Sequence, residues 1–165
     1  MKNQIHMKDS HLEPLCRETA DAIALWEYEP PYDAYSFKGT PNDYLLDTAT
    51  WGNEQFCLMC DGQILGQVAC QYEETDLWVG WSMAPWLCGQ GYGAAFVDRC
   101  VTELCRAKDH HGRVLLRVSA RNHRAVRAYE KAGFRYLETI QDEIAYTGLI
   151  EDFLVMWRFP HTERS

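Results

Sequence analysis

A cluster of three glycines sets the strongest limit on the fold of this chain. Gly89, Gly91 and Gly93 lie between an apolar run that ends at Met83 and an amphipathic run that begins near the last two of these glycines. Glycine permits a tight turn and leaves backbone N–H groups uncovered, and a helix that begins there adds a partial positive charge. The sequence therefore predicts a strand, a turn and a helix, with an anion site suited to a diphosphate at the turn. A glycine-rich turn without a ligand is the alternative.

The N-terminal part of the chain has a helical pattern. Apolar residues from Leu12 to Trp26 recur at steps of three and four, which predicts an amphipathic helix with Ser10 as its N-cap. The Pro30-Pro31 pair then stops this helix. A short helical piece is expected at 41–47.

The rest of the chain alternates between strands and helices. Asp61-Gly62 predicts a hairpin between two of the strands. Helices are expected from about Gly91 or Gly93 and over 123–132. This order predicts a mixed sheet flanked by helices, an α/β fold. The predicted strands are 56–60, 64–72, 77–83, 114–118, 134–141 and 150–159.

Composition excludes several classes of protein. The 16 Lys and Arg against 24 Asp and Glu give a formal charge of −8, the wrong sign for a protein that neutralises nucleic-acid phosphates. An acidic protein favours a cationic partner such as an amine. The N-terminus has no apolar run of signal-peptide length, and no run reaches membrane-span length, so we expect a cytoplasmic protein that does not bind membranes. The seven cysteines are expected to be reduced thiols, with no metal site.

Two motifs together resemble the GNAT superfamily of N-acetyltransferases. The acyl-CoA turn of that family, [RQ]-x-x-G-x-[GA], matches Cys88 to Gly93, and its later N-x-x-A-x-x-x-Y-x-x-x-G-F pattern matches residues 122–134. The resemblance covers 54–141 well and the rest loosely. It implies one GNAT domain over 1–165, with a mixed, mostly antiparallel sheet of six to seven strands, splayed between the fourth and fifth.

The resemblance also implies a site for acetyl-CoA, the co-substrate of the family. Main-chain groups of Trp81, Ser82 and Met83 are expected to pair with pantetheine like an added strand. Asn122 is expected to contact the pantetheine arm or to cap its helix, and Tyr129 is expected near the thioester sulfur. Cys88 departs from the family, which has Arg or Gln there, and this departure puts affinity for CoA in doubt. The diphosphate is expected to bind the backbone amides of Gly89, Gln90, Gly91, Tyr92, Gly93 and Ala94.

The catalytic groups follow from the same resemblance. Tyr129 is expected to protonate the leaving thiolate. The general base is expected among Glu73, Glu74 and Asp76, and a solvated turn is the alternative for these three carboxylates. Ribosomal-protein acetyltransferases of the superfamily have a Glu where this chain has Arg117, which argues against sharing their base and substrate.

The acceptor is expected to bind the aromatic and acidic segment 26–37. Trp26, Glu29, Tyr32 and Tyr35 suit an ammonium group through cation–π and charge attraction, and a loop packed on the core is the alternative. The predicted function is transfer of acetyl from acetyl-CoA to a primary amine of a small molecule or peptide by direct attack. A non-catalytic acyl-CoA sensor with the same fold is the rival hypothesis. The oligomeric state, monomer or homodimer, is left open.

Overall fold

A seven-stranded sheet is the frame of the structure, a computed structural model that describes residues 4–143 and 148–161. The helices are α1 (Arg17–Ile23), α2 (Gly93–Lys108) and α3 (His123–Lys131). The strands are β1 (His11–Pro14), β2 (Gln55–Cys60), β3 (Gln63–Glu73), β4 (Asp76–Met83), β5 (Val114–Ser119), β6 (Arg135–Glu143) and β7 (Ile150–Arg158). The strand order is β1-β2-β3-β4-β5-β7-β6.

The sheet is mixed, and it opens between β4 and β5. These two strands run parallel and pair only at Leu77–Val114 and Trp78–Leu115, whereas β5 pairs antiparallel with β7 along its whole length. The pairs β1–β2, β2–β3 and β6–β7 are also antiparallel. The predicted fold class is confirmed, including the strand number and the splay between the fourth and fifth strands.

Local sequence signals explain the turn between β2 and β3 and the helix α2. The turn between β2 and β3 has positive φ at Asp61 (49°) and Gly62 (76°), the conformation of a two-residue hairpin turn. Helix α2 buries the apolar stripe that its spacing predicts. The apolar residues buried on this helix are Phe96, Val97, Cys100, Val101, Leu104 and Cys105.

The described residues divide into two compact units. The first contains 4–70 and 81–92, and its fully buried side chains include Ile23, Leu58 and Leu65. The second contains 71–80, 93–143 and 148–161, with a core that includes Phe96 and Leu104. The expectation of a single GNAT domain over 1–165 stays a prediction. No helix within the described ranges is long and apolar enough to cross a membrane.

The prediction that a helix begins at Ser10 was wrong. Residues His11–Pro14 form an edge strand, and Pro14, which lacks an N–H, is its last residue. Helix α1 begins only at Arg17, and the Cys16 N–H donates to Thr19 Oγ1 at 3.0 Å in its capping box. The partner of β1 is β2, more than forty residues away in the sequence, so a local pattern cannot reveal this strand.

The predicted helical piece at 41–47 was also wrong. The chain makes one turn there, in which Leu46 N donates to Asn42 O at 3.0 Å. Asn42 has a φ of 55°, which is incompatible with a right-handed helix. A short 3-10 helix, Thr48–Thr50, follows this turn.

Candidate active site

The backbone groups of β4 face opposite sides of the strand at alternate residues. Leu77 N donates to Arg113 O at 3.0 Å, so the backbone groups of Leu77 face β5. Ala84 N donates to Leu65 O at 2.8 Å and therefore faces β3. Because backbone groups alternate along a strand, those of Ser82 face β3, whereas those of Trp81 and Met83 face away from it. The expected main-chain contacts of Trp81, Ser82 and Met83 with pantetheine stay predictions.

The glycine turn follows β4 and a 3-10 helix, Pro85–Leu87. Gly89 has a φ of 76° and Gly91 a φ of 85°, so both adopt the left-handed conformation that glycine alone adopts without strain. A Cβ built on either residue meets no atom within 4 Å. The turn therefore leaves open space over its backbone, directly before the N-terminus of α2.

Gly93 has a different role from the other two glycines. Its φ is not positive, and an added Cβ would lie 3.3 Å from the Cβ of Ala128 on α3. This separation is tighter than ordinary van der Waals contact, so Gly93 permits the close packing of α2 against α3. From the sequence, Gly93 is expected in the anion site and near the start of the helix, whereas its packing against α3 is seen only in the structure.

Side chains in the turn are engaged with the protein itself. The Cys88 thiol donates to the Ala84 carbonyl over 3.7 Å, and the Gln90 side-chain amide donates to the Trp86 carbonyl. The Tyr92 hydroxyl accepts from Ile5 N at 3.2 Å. The binding of an anion by the backbone amides of this turn stays a prediction.

Asn122 caps α3, one of the two roles expected for it. Its side-chain oxygen accepts from Ala125 N at 3.2 Å, which satisfies one of the amides left unpaired at the start of a helix. The cap fixes where α3 begins and where Tyr129, two turns further on, lies along it.

We expect Asn122→Ala to lower the free energy of unfolding by about 1 kcal/mol, because the Ala125 amide loses its acceptor. Asn122→Ser is the matched control, since serine also caps helices and should restore most of this loss. Urea unfolding of the three proteins measures the effect. Equal stability of the alanine and serine variants would contradict the capping role.

Tyr129 is half-buried on α3. Its ring lies 6.1 Å from the ring of Phe134, at an interplanar angle of 59°, and its carbonyl accepts from Phe134 N at 2.9 Å. The ring is thus held by packing, as a residue on the apolar stripe of the helix should be. Its role as a catalytic acid stays a prediction.

The three carboxylates predicted as candidates for the base lie at the β3–β4 turn. Glu73 and Glu74 are exposed, and Glu74 has a φ of 57° in the turn. Asp76 accepts two hydrogen bonds from the Arg113 guanidinium, at 3.1 and 2.9 Å, and these hold the pKa of Asp76 below its usual range. Asp76 is also about 16 Å from Trp81 along β4, at the usual rise of a strand. A paired carboxylate at that distance is a poor general base.

The Asp76–Arg113 pair predicts a specific dependence of stability on pH. Since the folded-state pKa of Asp76 lies below its unfolded value, the pair stabilises the protein above about pH 4, the unfolded pKa, and this contribution is lost as pH falls through the folded pKa. We expect Asp76→Asn to lower Tm slightly at neutral pH, with the difference from wild type shrinking below about pH 4. Thermal scans at several pH values measure this. A constant difference would contradict the ion-pair role.

The predicted acceptor residues divide into buried and exposed ones. Trp26 is 7% exposed, and its ring packs edge-on against Phe37 and Trp86 at centroid distances of 6.2 and 5.8 Å. Its burial favours the alternative of a loop packed on the core, and its role in substrate binding stays a prediction. The other three are more accessible: Glu29 and Tyr35 are exposed, and Tyr32 is half-buried.

Tyr28 is a residue of this site that the sequence analysis missed. Its hydroxyl donates to the Met83 carbonyl at 2.6 Å. Burial raises the pKa of Tyr28 strongly, the nearby Cys88 raises it further, and a hydrogen bond with Ser82 partly offsets the two. The phenol is therefore a neutral donor at physiological pH. Its only sequence signal was its place between two glutamates in the aromatic segment.

A family model assigns this fold and these motifs to one group of enzymes. The model of the acetyltransferase (GNAT) family matches residues 20–134. The chain belongs to this family. The resemblance noted from the glycine turn and the α3 pattern is confirmed. Among curated proteins, none matches this GNAT chain significantly.

Solved structures share the fold of this GNAT chain at low sequence identity. An acetyltransferase (GNAT family) of Bacillus anthracis has a TM-score of 0.72 and 14% identity, covering 92% of this chain and 95% of that one. The spermidine/spermine N-acetyltransferase SpeG of Vibrio cholerae has a TM-score of 0.68 and 18% identity, covering 93% and 94%. The ribosomal-protein-S18-alanine N-acetyltransferase of Escherichia coli has a TM-score of 0.65 and 18% identity, covering 94% and 96%.

At these identities the likeness establishes the fold only. The SpeG structure was solved in complex with manganese ions. Among the described residues of this GNAT chain, no group of three His, Cys, Asp or Glu is placed to hold a metal ion.

Arg117 forms an ion pair with Asp142, and its guanidinium lies 4.9 Å from the ring centroid of Phe153. It is thus held by two neighbouring strands.

Proposed function

We propose that this protein transfers the acetyl group of acetyl-CoA to a primary amine of a small molecule or peptide by direct attack. The observation that carries this proposal is that β4 and β5, two parallel strands, pair at only two positions, Leu77–Val114 and Trp78–Leu115, and an extended ligand can add to a strand where its neighbour no longer pairs with it. The glycine turn begins five residues after the end of β4, where backbone amides and the start of α2 suit a diphosphate. Family membership supports the same co-substrate.

The reaction forms an N–C bond and breaks a C–S bond. The neutral amine attacks the thioester carbonyl, and a backbone N–H at the open edge, that of Met83, stabilises the developing oxyanion. The attacking nitrogen loses one proton to solvent as the amide forms, and the CoA thiolate leaves and takes a proton from Tyr129, which regains one from solvent. The thiol pKa is about 8.5 by analogy with Cys and that of tyrosine about 10, so this transfer is mildly uphill and requires a direct hydrogen bond.

No side chain of the described residues is assigned as the general base. Asp76 is ion-paired, and Glu73 and Glu74 are exposed in a turn. A lysine-like amine is neutral in only about one molecule in 2,500 at pH 7, so its deprotonation costs about 4.6 kcal/mol. Deprotonation of an α-amine costs only about 1 kcal/mol. Acceptors with an amine of low pKa therefore need the least help from the enzyme. Glu29, Tyr32 and Tyr35 are proposed to contact the acceptor.

The test is a screen for acetyl transfer with acetyl-CoA and a panel of amines. The panel contains a polyamine, free amino acids and peptides with an alanine or methionine terminus, assayed at several pH values. Released CoA and acetylated product are separated and identified by mass spectrometry, because the seven cysteines of the protein would react with a thiol reagent. Product with no member of the panel, despite binding of acetyl-CoA, would refute amine transfer within these classes.

A sensor of acyl-CoA is the second candidate, and the state of the predicted bases favours it. Asp76 is held in an ion pair with Arg113, and Glu73 and Glu74 are exposed in a turn, so none of the three is placed as a base for turnover. Binding of CoA measured by calorimetry, together with an absence of product in the screen, is the result expected of a sensor. Turnover with any amine excludes it.

A further inference from the structure

We infer that Arg158 is a positioning residue for the proposed reaction, because it holds the end of α3 against α2 and so fixes where Tyr129 lies. The inference rests on the proposed role of Tyr129 and goes beyond it, since it assigns a role to a residue outside both family motifs. Arg158 is the last residue of β7, and its side chain is 3% exposed. The residues that carry this argument all belong to the second compact unit.

The guanidinium of Arg158 bonds to three segments of the chain. Its Nη1 donates to Ala132 O, at the end of α3, at 2.6 Å and to Asp98 Oδ1, on α2, at 3.0 Å. Its Nη2 donates to Pro160 O at 3.0 Å, and its Nε donates to Phe159 O at 2.9 Å. A buried charge is stable where it is paired and hydrogen-bonded, and all three nitrogens of this one are bonded. One side chain therefore ties α2 and α3 to the end of β7.

Arg158 is linked to Tyr129 through the end of α3. Ala132, whose carbonyl accepts from Arg158, is the C-cap residue of α3 and lies within one helical turn of Tyr129. The ring centroid of Phe134 lies 5.9 Å from the guanidinium carbon of Arg158 and 6.1 Å from the ring centroid of Tyr129. Phe134 N also donates to Tyr129 O at 2.9 Å. A shift of the guanidinium is therefore passed on to the Tyr129 ring.

Helix α3 meets α2 at two points, and Tyr129 lies between them in the sequence. The first point is steric, because a Cβ added to Gly93 would lie 3.3 Å from the Cβ of Ala128. The second is polar, because Arg158 joins Ala132 to Asp98. Two fixed points on a nine-residue helix oppose both sliding and rotation. Proton transfer to the thiolate requires hydrogen-bond reach, so a small displacement of Tyr129 should slow it.

Arg158→Lys tests this inference because it keeps the positive charge and removes the planar set of donors. We expect kcat to fall about three- to tenfold, the range of one lost hydrogen bond, with Kd for CoA unchanged. Steady-state kinetics and calorimetric titration with CoA measure the two quantities. An unchanged kcat would overturn the inference.

A double-mutant cycle with Tyr129→Phe distinguishes positioning from general support of the fold. If Arg158 acts through the Tyr129 hydroxyl, Arg158→Lys should change kcat by less than about twofold once that hydroxyl is absent. A merely structural role would lower kcat equally in both backgrounds. An equal loss would therefore overturn the inference.

Asp98→Ala is a second variant, in case Arg158→Lys fails to fold. Asp98 has a side chain that is 48% exposed, and its loss frees the guanidinium from α2 while the bond to Ala132 stays. We expect kcat to fall about two- to threefold. The control is Arg106→Lys, since Arg106 bonds at 2.9 Å to Glu103 of its own helix, and it should keep the wild-type kcat. Wild-type kcat in Asp98→Ala, or an equal loss in the control, would overturn the inference.

Tyrosine ring signals of the free protein separate this inference from the proposed function. In NMR spectra of protein with isotope-labelled tyrosine, the signal of Tyr129, assigned from Tyr129→Phe, should shift in Arg158→Lys. Tyr44, which lies in the first unit, is the internal reference. If wild type shows no turnover, or if Tyr129→Phe keeps the wild-type kcat, the proposed reaction or the acid role fails, and these spectra still decide whether Arg158 positions the ring. An unshifted Tyr129 signal would overturn the inference.

Discussion

Gly91→Glu is expected to weaken CoA binding about a hundredfold or more while the protein stays folded. Gly91 lies two residues before α2, in the turn proposed to hold the diphosphate, and no atom lies within 4 Å of its would-be Cβ. A glutamate would therefore extend into the space over the backbone amides. Its carboxylate would compete for those amides, repel the diphosphate and neutralise the partial positive charge at the start of the helix. Calorimetric titration with CoA measures the loss.

Gly62→Glu is the matched control for this variant. Gly62 has a φ of 76°, comparable to the 85° of Gly91, and its Cβ would also meet nothing within 4 Å. Both substitutions therefore impose a similar left-handed strain of about 1–2 kcal/mol, and both add one negative charge. Only Gly91→Glu should lose CoA binding. Retained binding would refute the assignment of the diphosphate to this turn.

Tyr129→Phe is expected to lower kcat about tenfold or more with the Kd for CoA unchanged. The substitution keeps the ring that packs 6.1 Å from Phe134 and removes only the hydroxyl, so α3 should keep its position. Without this proton donor the thiolate must leave as an anion or be protonated by solvent water, and both routes are slower. The effect should be smallest at low pH, where solvent supplies protons more readily. Steady-state kinetics from pH 6 to about pH 9 measure both quantities.

Tyr136→Phe is the control for this second experiment. Tyr136 lies in β6 of the same unit, is 56% exposed, and its hydroxyl shares a hydrogen bond with Thr139 at 2.7 Å. It should retain the wild-type kcat. If Tyr129→Phe also retains it, Tyr129 has no part in the chemistry and is a packed aromatic residue.

The turn and helix at the proposed cofactor site were the most predictable part of the molecule. Gly89 and Gly91 mark positive φ values that other residues adopt only under strain, and the apolar stripe of α2 follows from helical periodicity alone. Both signals are local, because each depends on sterics or spacing within one short segment. The α3 pattern was local in the same way, and Gly133, with a φ of 92°, ends that helix region as predicted.

Predictions failed where two distant segments had to meet. The spacing of apolar residues from Leu12 onward fits a helix, yet 11–14 form a strand because β2 supplies a partner. For Trp26 the sequence left two alternatives, a binding surface and a packed loop, and its contacts with Phe37 and Trp86 favour the packed loop. Local spacing does not record which segments pack together, so the pattern could not predict the strand at 11–14 or decide between these alternatives.

The amino-acid pattern alone therefore determined the strand–turn–helix unit, the hairpin at Asp61-Gly62 and the family, since each is encoded within a short stretch of chain. Tertiary structure alone decided that Gly93 serves helix packing, that Asp76 is held by Arg113, and that Tyr28 donates to the carbonyl of Met83. Each of these depends on a contact between residues at least 35 positions apart, which folding, and not local propensity, brings within a few ångströms.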